Sequence, residues 1–213
     1  MSSVVVIDYG MGNLHSIAKA LQHADSGVNV QISADPKTIA AADRVVFPGV
    51  GAMRDCMQAL HETGLAEVIK QVANNKPLLG ICLGMQALLT DSEEGGKIDC
   101  LNLFPGHVRR FADDLTDSNG ERLKIPHMGW NQVQQLPHPL WQSIPQNSRF
   151  YFVHSYFAAP DNQQDCIATS DYPQPFTCAL AKDNVFAVQF HPEKSQTVGL
   201  QLLQNFLRWD GTN

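Results

Sequence analysis

The chain has 213 residues, a length that fits one good-sized domain or two small ones. Hydrophobic residues make up 44%, charged residues only 17%, and the formal net charge is −6. This acidic balance argues against a nucleic-acid-binding protein, which usually carries a basic patch. No apolar run approaches the roughly 18 residues of a membrane span, and Asp8 interrupts the apolar N-terminal run. We therefore expect a cytoplasmic protein without a membrane anchor or secretory signal.

The first half of the chain alternates short apolar runs with helix-like segments. Strands are predicted over 4–7, 28–32, 45–47 and 78–81. Helices are predicted over 14–21, after the capping pair Asp35-Pro36, over 53–72 with Gly64 as the residue where it would break, and over 83–89. Apolar strands that alternate with helices indicate a buried parallel sheet covered on both faces.

The second half lacks this alternation. Turns are predicted at 117–120 and at Asp183-Asn184, strands over 150–157, 166–169, 176–180 and 185–190, and a last helix over 196–208. The sequence therefore predicts a single α/β domain over residues 1–213. Its mostly parallel central sheet would be flanked by helices and continued by an antiparallel extension.

No metal or cofactor site is predicted. The five cysteines are widely spaced and form no Cys-x-x-Cys pair, which argues against a zinc knuckle or a dithiol redox motif. A phosphate-binding loop and a His-Glu-x-x-His motif are also missing, and His15 stands where a dinucleotide fingerprint starting at Gly10 would have its third glycine.

The segment Gly80-Ile81-Cys82-Leu83-Gly84 lies between a predicted strand and a predicted helix. Gly-x-Cys-x-Gly at this place has the layout of a nucleophile elbow, with cysteine instead of serine. The glycines leave room for a tight turn, and the positive end of the helix dipole favours the thiolate of Cys82. The pattern alone leaves a second explanation open, a buried cysteine between two packing glycines.

A thiolate nucleophile needs a partner for proton transfer. His191 follows the last predicted strand, and Glu193 stands two residues further on. In an extended segment these side chains project to the same side, so Glu193 can orient His191. This predicts a Cys82–His191–Glu193 triad. His154 is the alternative base.

A candidate oxyanion hole follows an earlier predicted strand. The glycines of Pro48-Gly49-Val50-Gly51 allow backbone N–H groups to turn toward a ligand. Together with the amide of Leu83, they would hold a developing negative oxygen. On spacing alone, an ordinary strand-to-helix turn explains the segment equally well.

With these motifs assembled, the chain resembles the class I (triad-type) glutamine amidotransferases, and among them the glutaminase subunits of imidazole glycerol phosphate synthase. The resemblance rests on the stretches 8–14, 48–51, 80–86, 124–131, 151–156 and 191–195. It implies that Cys82 attacks the side-chain amide of glutamine, with His191 and Glu193 handling the protons. The residues implied to hold the oxyanion or the substrate are Gly49, Val50, Gly51, Leu83, Gln86, His154, Ser155 and Tyr156.

The resemblance also implies a partner. In this family ammonia passes to a (β/α)₈-barrel cyclase subunit, within a heterodimer that makes imidazole glycerol phosphate and an aminoimidazole carboxamide ribotide for histidine biosynthesis. Asn13, Trp130 and Lys194 are then expected at the partner face. Without the resemblance they would be explained as a helix cap, a core residue and a solvated charge.

Other functions remain compatible with the same motifs. The chain could serve anthranilate, aminodeoxychorismate or pyridoxal phosphate synthesis as a glutaminase. It could instead be a cysteine hydrolase of an acyl or peptide substrate, or a non-catalytic interaction module that keeps the fold.

Overall fold

The computed structural model describes residues 2–117 and 119–212, and the structural statements that follow refer to these residues. A central sheet of twelve strands runs through the molecule, and a second sheet of two strands lies beside it. The parallel part of the central sheet consists of β1 (Ser3–Ile7), β2 (Asn29–Ser33), β3 (Arg44–Gly49), β4 (Leu78–Cys82) and β14 (Val185–Val188). These strands lie in the order β2-β1-β3-β4-β14.

Beyond β14 the sheet continues with seven further strands, β5 (Asp91–Ser92), β6 (Ile98–Asp99), β7 (Gly106–Arg110), β9 (Gln134–Gln135), β11 (Tyr156–Pro160), β12 (Cys166–Asp171) and β13 (Pro175–Lys182). Most of their pairs are antiparallel, and their order from β14 outward is β13-β11-β7-β5-β6. Strand β12 also pairs with β13, and β9 pairs with β12. The separate sheet pairs β8 (His127–Gln132) with β10 (Arg149–His154) in antiparallel register.

Helices cover both faces of the parallel part. Helices α1 (Leu14–Ala24) and α6 (Gln196–Arg208) contribute to the hydrophobic core on one face. Helices α2 (Pro36–Ala41), α3 (Met53–Glu62) and α4 (Leu65–Asn75) contribute to the core on the other. Successive residues of β1 enter the two cores alternately, which explains why the buried strands read as continuous apolar runs. The predicted fold class is confirmed.

The predicted break at Gly64 is also confirmed. Gly64 has φ +70° and separates α3 from α4, a left-handed conformation that favours glycine. Asp35 likewise caps α2 by accepting a hydrogen bond from the Thr38 amide at 2.9 Å.

Two predicted elements differ from the structure. The helix predicted over 83–89 ends early, as α5 (Leu83–Gln86), because backbone amides of the 102–104 loop bond to the carbonyls of Leu88 and Leu89. The strand predicted over 150–157 is divided at Ser155, since its first half pairs with β8 and its second half with β7 in the central sheet. The predicted turn at 117–120 includes Ser118, which lies outside the described residues.

The topology brings the candidate site residues to one edge of the sheet. Strands β3, β4 and β14 are neighbours and run parallel, so their carboxyl ends lie side by side. Gly49 at the end of β3 is in register with Cys82 at the end of β4. No helix within residues 2–117 and 119–212 is both long and apolar enough to cross a membrane.

Candidate active site

Cys82 lies at the turn between β4 and α5. Its backbone has φ +56° and ψ −111°, a conformation that non-glycine residues rarely adopt and that marks local strain. The turn is tight because α5 packs directly on β3. A Cβ atom on Gly84 would lie 2.0 Å from the carbonyl oxygen of Phe47, so only glycine fits there. The elbow geometry therefore depends on both the strained backbone of Cys82 and the absence of a side chain at Gly84.

His191 follows the end of β14 and is held in place by β10. Its backbone N–H donates to the carbonyl of Tyr151 at 2.9 Å. The buried hydroxyl of Ser195 donates to the carbonyl of His191 at 2.6 Å and accepts from the Tyr151 amide at 3.0 Å. Ser195 thus ties the histidine to a strand of the smaller sheet.

Glu193 accepts a hydrogen bond from His191, between Oε1 and Nδ1 at 2.9 Å. The predicted contact is present, but the extended geometry expected for it is not. Residues Pro192–Lys194 form a short 3₁₀ turn, which bends the chain so that Glu193 returns to His191. Both side chains are buried, at 4% and 5% exposure, so solvent screens their attraction little.

The charge of His191 follows from these contacts. Burial disfavours the imidazolium, but interactions with Cys82 and Glu193 outweigh it and raise the pKa of His191 to about 10. Nε2, on the side of the ring away from Glu193, is buried without a well-formed hydrogen bond among the described residues. Its interaction with Cys82 is the largest of the contributions that raise the pKa of His191.

Two glutamine side chains lie behind the nucleophile. Gln86 donates from Nε2 to the carbonyl of Tyr156 and to Oε1 of Gln189, each at 2.9 Å. Nε2 of Gln189 lies 3.7 Å from Cys82 Sγ. Gln86 was among the predicted residues, whereas Gln189 was missed because it falls within a run predicted as a plain buried strand.

The candidate oxyanion segment begins in the last two residues of β3, Pro48 and Gly49, and continues beyond the strand. Pro48 carries a carbonyl that accepts a hydrogen bond from the Tyr9 hydroxyl at 3.0 Å. Val50 is 42% exposed and faces the same cavity as Cys82. Leu83 is the first residue of α5, where backbone N–H groups have no partner within the helix. The two candidate sources of oxyanion donors thus flank the sulfur.

A cavity of about 230 Å³ joins these groups. It is smaller than the roughly 300–1,000 Å³ of pockets for drug-sized ligands, which suits a small substrate. Its lining residues are Val50, Gly51, Cys82, Leu83, Gln86, Glu94, Val153, His154, Ser155, His191 and Lys194. Of the remaining predicted residues, Glu193 and Tyr156 contact the lining side chains His191 and Gln86. Gly49 lines a small adjoining cavity that His191 and Lys194 also border.

Glu94 is a cavity residue that the sequence did not indicate. One carboxylate oxygen accepts a hydrogen bond from the backbone N–H of Met53 at 2.7 Å. Glu94 belongs to a polar stretch, Glu93-Glu94-Gly95-Gly96-Lys97, which reads as an ordinary surface turn. Only the tertiary structure brings this carboxylate to the cavity.

His154 is poorly suited to act as the base. Its Nδ1 bonds to the carbonyl of Tyr156 at 2.7 Å, and its Nε2 to Nδ1 of His127 at 3.0 Å. Burial lowers the pKa of His154 to about 3. Both ring nitrogens therefore serve internal hydrogen bonds, and the ring is neutral at physiological pH.

Of the three residues expected at a partner face, Asn13 and Lys194 line the small cavity that adjoins the site, and Trp130 contacts Tyr151. Asn13 precedes α1 but makes no side-chain capping bond. Trp130 is 42% exposed and packs against Tyr151, at a ring distance of 6.1 Å. Lys194 is exposed, and its Nζ lies over the ring of Tyr151, 5.7 Å from the ring centre. Asn13 therefore occupies the cap position without a side-chain bond, whereas the explanation as a core residue fails for Trp130.

Other features of the described residues do not suggest a second reaction centre. A more open cavity of about 740 Å³ lies beside Trp130 and Tyr172, but it contains no triad residue. Among the described residues, no cluster of three or more His, Cys, Asp or Glu side chains could hold a metal ion. Burial raises the pKa of Cys56 to about 11 and that of Cys100 to about 12, so both are unreactive thiols at neutral pH.

Comparison with known proteins places this geometry in a family. The family model of class-I glutamine amidotransferases matches residues 5–209. The chain is 64% identical over 212 residues to imidazole glycerol phosphate synthase subunit HisH of Methylococcus capsulatus, covering 99% of this chain and 98% of the relative. It is 57% identical to subunit HisH 1 of Pseudomonas aeruginosa, covering 99% of both.

Solved structures share the fold at low sequence identity. The structure of PurLQS from Thermotoga maritima matches with a TM-score of 0.71 at 16% identity, over 97% of this chain and 98% of that one. The crystal structure of a glutamine amidotransferase matches with a TM-score of 0.71 at 15% identity, over 96% of this chain and 97% of that one. The chain belongs to the class-I glutamine amidotransferase family.

Proposed function

We propose that this chain is the glutaminase subunit of imidazole glycerol phosphate synthase, and that it hydrolyses glutamine to glutamate and ammonia through Cys82, His191 and Glu193. One observation carries the proposal. The strained Cys82 lines one cavity with the buried His191, which is hydrogen-bonded to Glu193, in a chain 64% identical to a HisH subunit. Histidine biosynthesis in the cytoplasm is the corresponding setting.

In the first step, Cys82 Sγ attacks the carboxamide carbon of glutamine. The carbonyl oxygen becomes negatively charged, and we assign its hydrogen-bond donors to the Leu83 amide and the Gly49–Gly51 backbone. His191, protonated at neutral pH because of its raised pKa, gives its Nε2 proton to the leaving nitrogen, and ammonia departs. A thioester between Cys82 and the glutamyl group remains.

In the second step, water attacks the thioester. His191 is now neutral and accepts the proton of this water, while Glu193 stabilises the imidazolium that forms again. The tetrahedral intermediate collapses, the carbon–sulfur bond breaks, and glutamate leaves. Cys82 and His191 return to their starting charges.

The cavity also offers partners for the two ends of glutamine. Glu94 is a carboxylate at the wall, and we assign it to the substrate's α-ammonium group by charge complementarity. Both N–H groups of Gln86 are engaged internally, so only its carbonyl oxygen is left to accept a hydrogen bond from glutamine. Ser155 and the backbone at 154–156 line the same wall.

The partner is proposed to be a (β/α)₈-barrel cyclase subunit that receives the ammonia in a heterodimer. Support comes from three large hydrophobic residues that are exposed. Val50 lines the catalytic cavity and is 42% exposed, and Met128 and Trp130 line the more open cavity beside Tyr172 and are 61% and 42% exposed. Such residues are costly to leave in water and are typical of surfaces that bind another protein. Lys194 adds a positive charge to the lining of the catalytic cavity.

The decisive experiment measures glutamate release by the purified full-length chain. The chain is assayed with glutamine alone and after addition of the cognate cyclase together with its nucleotide ligand. We expect release that increases when the cyclase is added, and none above background for Cys82→Ser. Cys178→Ser, at another buried cysteine, serves as the matched control and is expected to retain activity.

The outcomes separate the alternatives. Activity retained in Cys82→Ser would exclude the mechanism. Glutaminase activity that the cyclase leaves unchanged, but that an anthranilate, aminodeoxychorismate or pyridoxal phosphate synthase partner stimulates, would reassign the chain to that synthesis. Hydrolysis of acyl or peptide substrates in place of glutamine would make it a different cysteine hydrolase.

A further inference from the structure

Gln189 has a polar side chain although its position is buried, and burial disfavours polar groups. It is completely buried, one residue after β14 and two before His191. A buried amide is costly unless its polar atoms are hydrogen-bonded, because it gives up its bonds to water. The contacts of Gln189 therefore indicate what the residue is needed for.

The direction of each hydrogen bond around Gln189 can be worked out from one backbone atom. The carbonyl oxygen of Tyr156 can only accept, so the Gln86 atom that contacts it at 2.9 Å must be the NH₂ group. The second N–H of this group then points to Gln189, 2.9 Å away, and Gln189 must present its own oxygen there. The NH₂ group of Gln189 is thereby turned to the sulfur of Cys82, at 3.7 Å.

The Tyr156 carbonyl, at which this series of hydrogen bonds ends, is itself held in place. The Tyr156 carbonyl also accepts a hydrogen bond from Nδ1 of His154, at 2.7 Å. That ring is buried and packs 5.3 Å from Phe176, ring centre to ring centre. The orientation of Gln189 is therefore set before any substrate arrives.

We propose that Gln189 is a positioning residue for the nucleophile: its amide donates a hydrogen bond to Cys82 Sγ, which stabilises the thiolate and aims the sulfur at the cavity. A donor that faces an ionisable group favours the charged form of that group. His191 supplies a positive charge to the same sulfur, whereas Gln189 supplies a neutral dipole that stays in place when His191 gives up its proton. This role deepens the proposed function, because it rests on Cys82 as the nucleophile.

A second benefit concerns the later half of the reaction. When the thioester breaks, the sulfur must again accept negative charge while His191 is losing or regaining a proton. A fixed N–H donor lowers the energy of this leaving thiolate without depending on pH. Gln189 should thus assist both the attack and the release.

The test measures the ionisation of Cys82 directly, without glutamine. The full-length wild-type chain and the variants Gln189→Met and Gln189→Glu are treated with iodoacetamide at a series of pH values, and the alkylation rate at Cys82 is read by mass spectrometry. The other titratable or charged groups near the sulfur or its cavity are left unchanged: His191 with its partner Glu193, His154, Tyr9, Glu94 and Lys194. Alkylation of N-acetylcysteine, added to the same samples, provides an internal reference.

We expect the midpoint of the Cys82 pH profile to rise by about one pH unit in Gln189→Met, a tenfold change in the ratio of thiolate to thiol. Gln189→Glu should raise it further, because a carboxylate then faces the thiolate. Asn205→Leu is the matched control, since Asn205 is another buried amide, bonded to the carbonyls of Leu140 and Gln142 away from the site. It should leave the midpoint unchanged.

Gln189→Asn, which withdraws the amide by one methylene but stays polar, covers the case in which the larger changes prevent folding. An upward shift in this variant supports the role. An unchanged midpoint in any folded Gln189 variant overturns it. Failure of the proposed function would be distinguishable, because it would appear as glutaminase activity that survives Cys82→Ser, whatever the alkylation profile.

Discussion

The hydroxyl of Tyr9 donates a hydrogen bond to the carbonyl oxygen of Pro48, at 3.0 Å, and so holds the first peptide of the candidate oxyanion segment. The next residue, Gly49, has no space for a side chain, since a Cβ atom would lie 2.6 Å from the Tyr9 oxygen. Val50, by contrast, is 42% exposed. The segment therefore has a fixed start and a solvent-exposed second half.

Tyr9→Phe tests the importance of this anchor. Burial raises the pKa of Tyr9, so its hydroxyl is a donor throughout the physiological range. Loss of the bond should lower the free energy of unfolding by about 1 kcal/mol. It should also lower glutaminase kcat several-fold with little change in KM, because the oxyanion donors are then less well positioned. Steady-state kinetics and urea unfolding measure the two effects.

Tyr172→Phe is the matched control for this change. Tyr172 also donates to a backbone carbonyl, that of Lys124 at 2.7 Å, but away from the nucleophile. It should lose stability without losing kcat. Equal kcat values for the two variants would mean that the Tyr9 bond is purely structural.

Glu193→Gln tests the role of the acid in the triad. The substitution keeps the shape of the side chain but removes the charge that helps to raise the pKa of His191 to about 10. With less imidazolium to protonate the leaving ammonia, kcat should fall by roughly 10²–10⁴-fold, the usual contribution of general acid–base catalysis. KM should change little. The measurement is glutamate release across pH 6–10 in the presence of the cyclase partner.

The control for Glu193→Gln is Glu67→Gln, which removes an exposed carboxylate paired with Lys70 in α4. Surface pairs of this kind contribute little, so activity and pH profile should match the wild type. A Glu193→Gln enzyme with unchanged kcat at every pH would remove Glu193 from the mechanism.

Some residues of the site can be predicted from the sequence and others cannot, because only some of them stand in a recognisable local sequence motif. Cys82 stands in a Gly-x-Cys-x-Gly turn, and His191 and Glu193 follow an apolar run in sequence. Gln189 and Glu94 have no such pattern. Their role follows from contacts with residues far along the chain, Cys82 at a separation of 107 and Met53 at a separation of 41.

The fold shows the same distinction. The strands of the parallel sheet could be predicted because burial on both faces makes them continuous apolar runs. Strand β8 could not, since His127–Gln132 has a buried residue only at its start and pairs with a single neighbour, β10. Even the correct His191–Glu193 contact was predicted from an extended geometry, whereas a 3₁₀ turn produces it. Such turns depend on tertiary bonds, here the one that the Tyr151 amide donates to the Ser195 hydroxyl.

Glu94→Gln tests the assignment of the α-ammonium group of glutamine. The amide keeps an oxygen that can accept from the Met53 N–H, so the start of α3 remains capped. Loss of the charge should raise KM for glutamine by roughly 10–100-fold, as expected for a charge-assisted hydrogen bond worth about 1.5–3 kcal/mol. The effect on kcat should be smaller. Glu93→Gln, at the exposed neighbouring carboxylate, is the control, and equal KM values for both variants would contradict the assignment.

The buried histidine pair makes a prediction about pH and stability. The Tyr156 carbonyl requires a proton on Nδ1 of His154, so Nε2 of this ring accepts from Nδ1 of His127. Nε2 of His127 in turn faces the side-chain NH₂ of Asn131 at 3.2 Å. Each ring nitrogen of His127 and His154 therefore has a hydrogen-bond partner when both rings are neutral. Burial accordingly lowers the pKa of His154 to about 3 and that of His127 to about 4.

Because these values lie below the usual 6.5, the unfolded chain binds protons near pH 5–6.5 that the folded chain does not. The free energy of unfolding should therefore decrease as the pH falls from 7 to 5, and His154 should contribute up to about 1.4 kcal/mol per pH unit below 6.5. Urea unfolding at several pH values measures this slope. In His154→Asn, which does not titrate but can still donate to Tyr156, the slope should be smaller, whereas the exposed His15→Asn should keep the wild-type slope. Identical slopes in the three proteins would show that folding does not lower the pKa of His154, and would reopen its candidacy as the catalytic base.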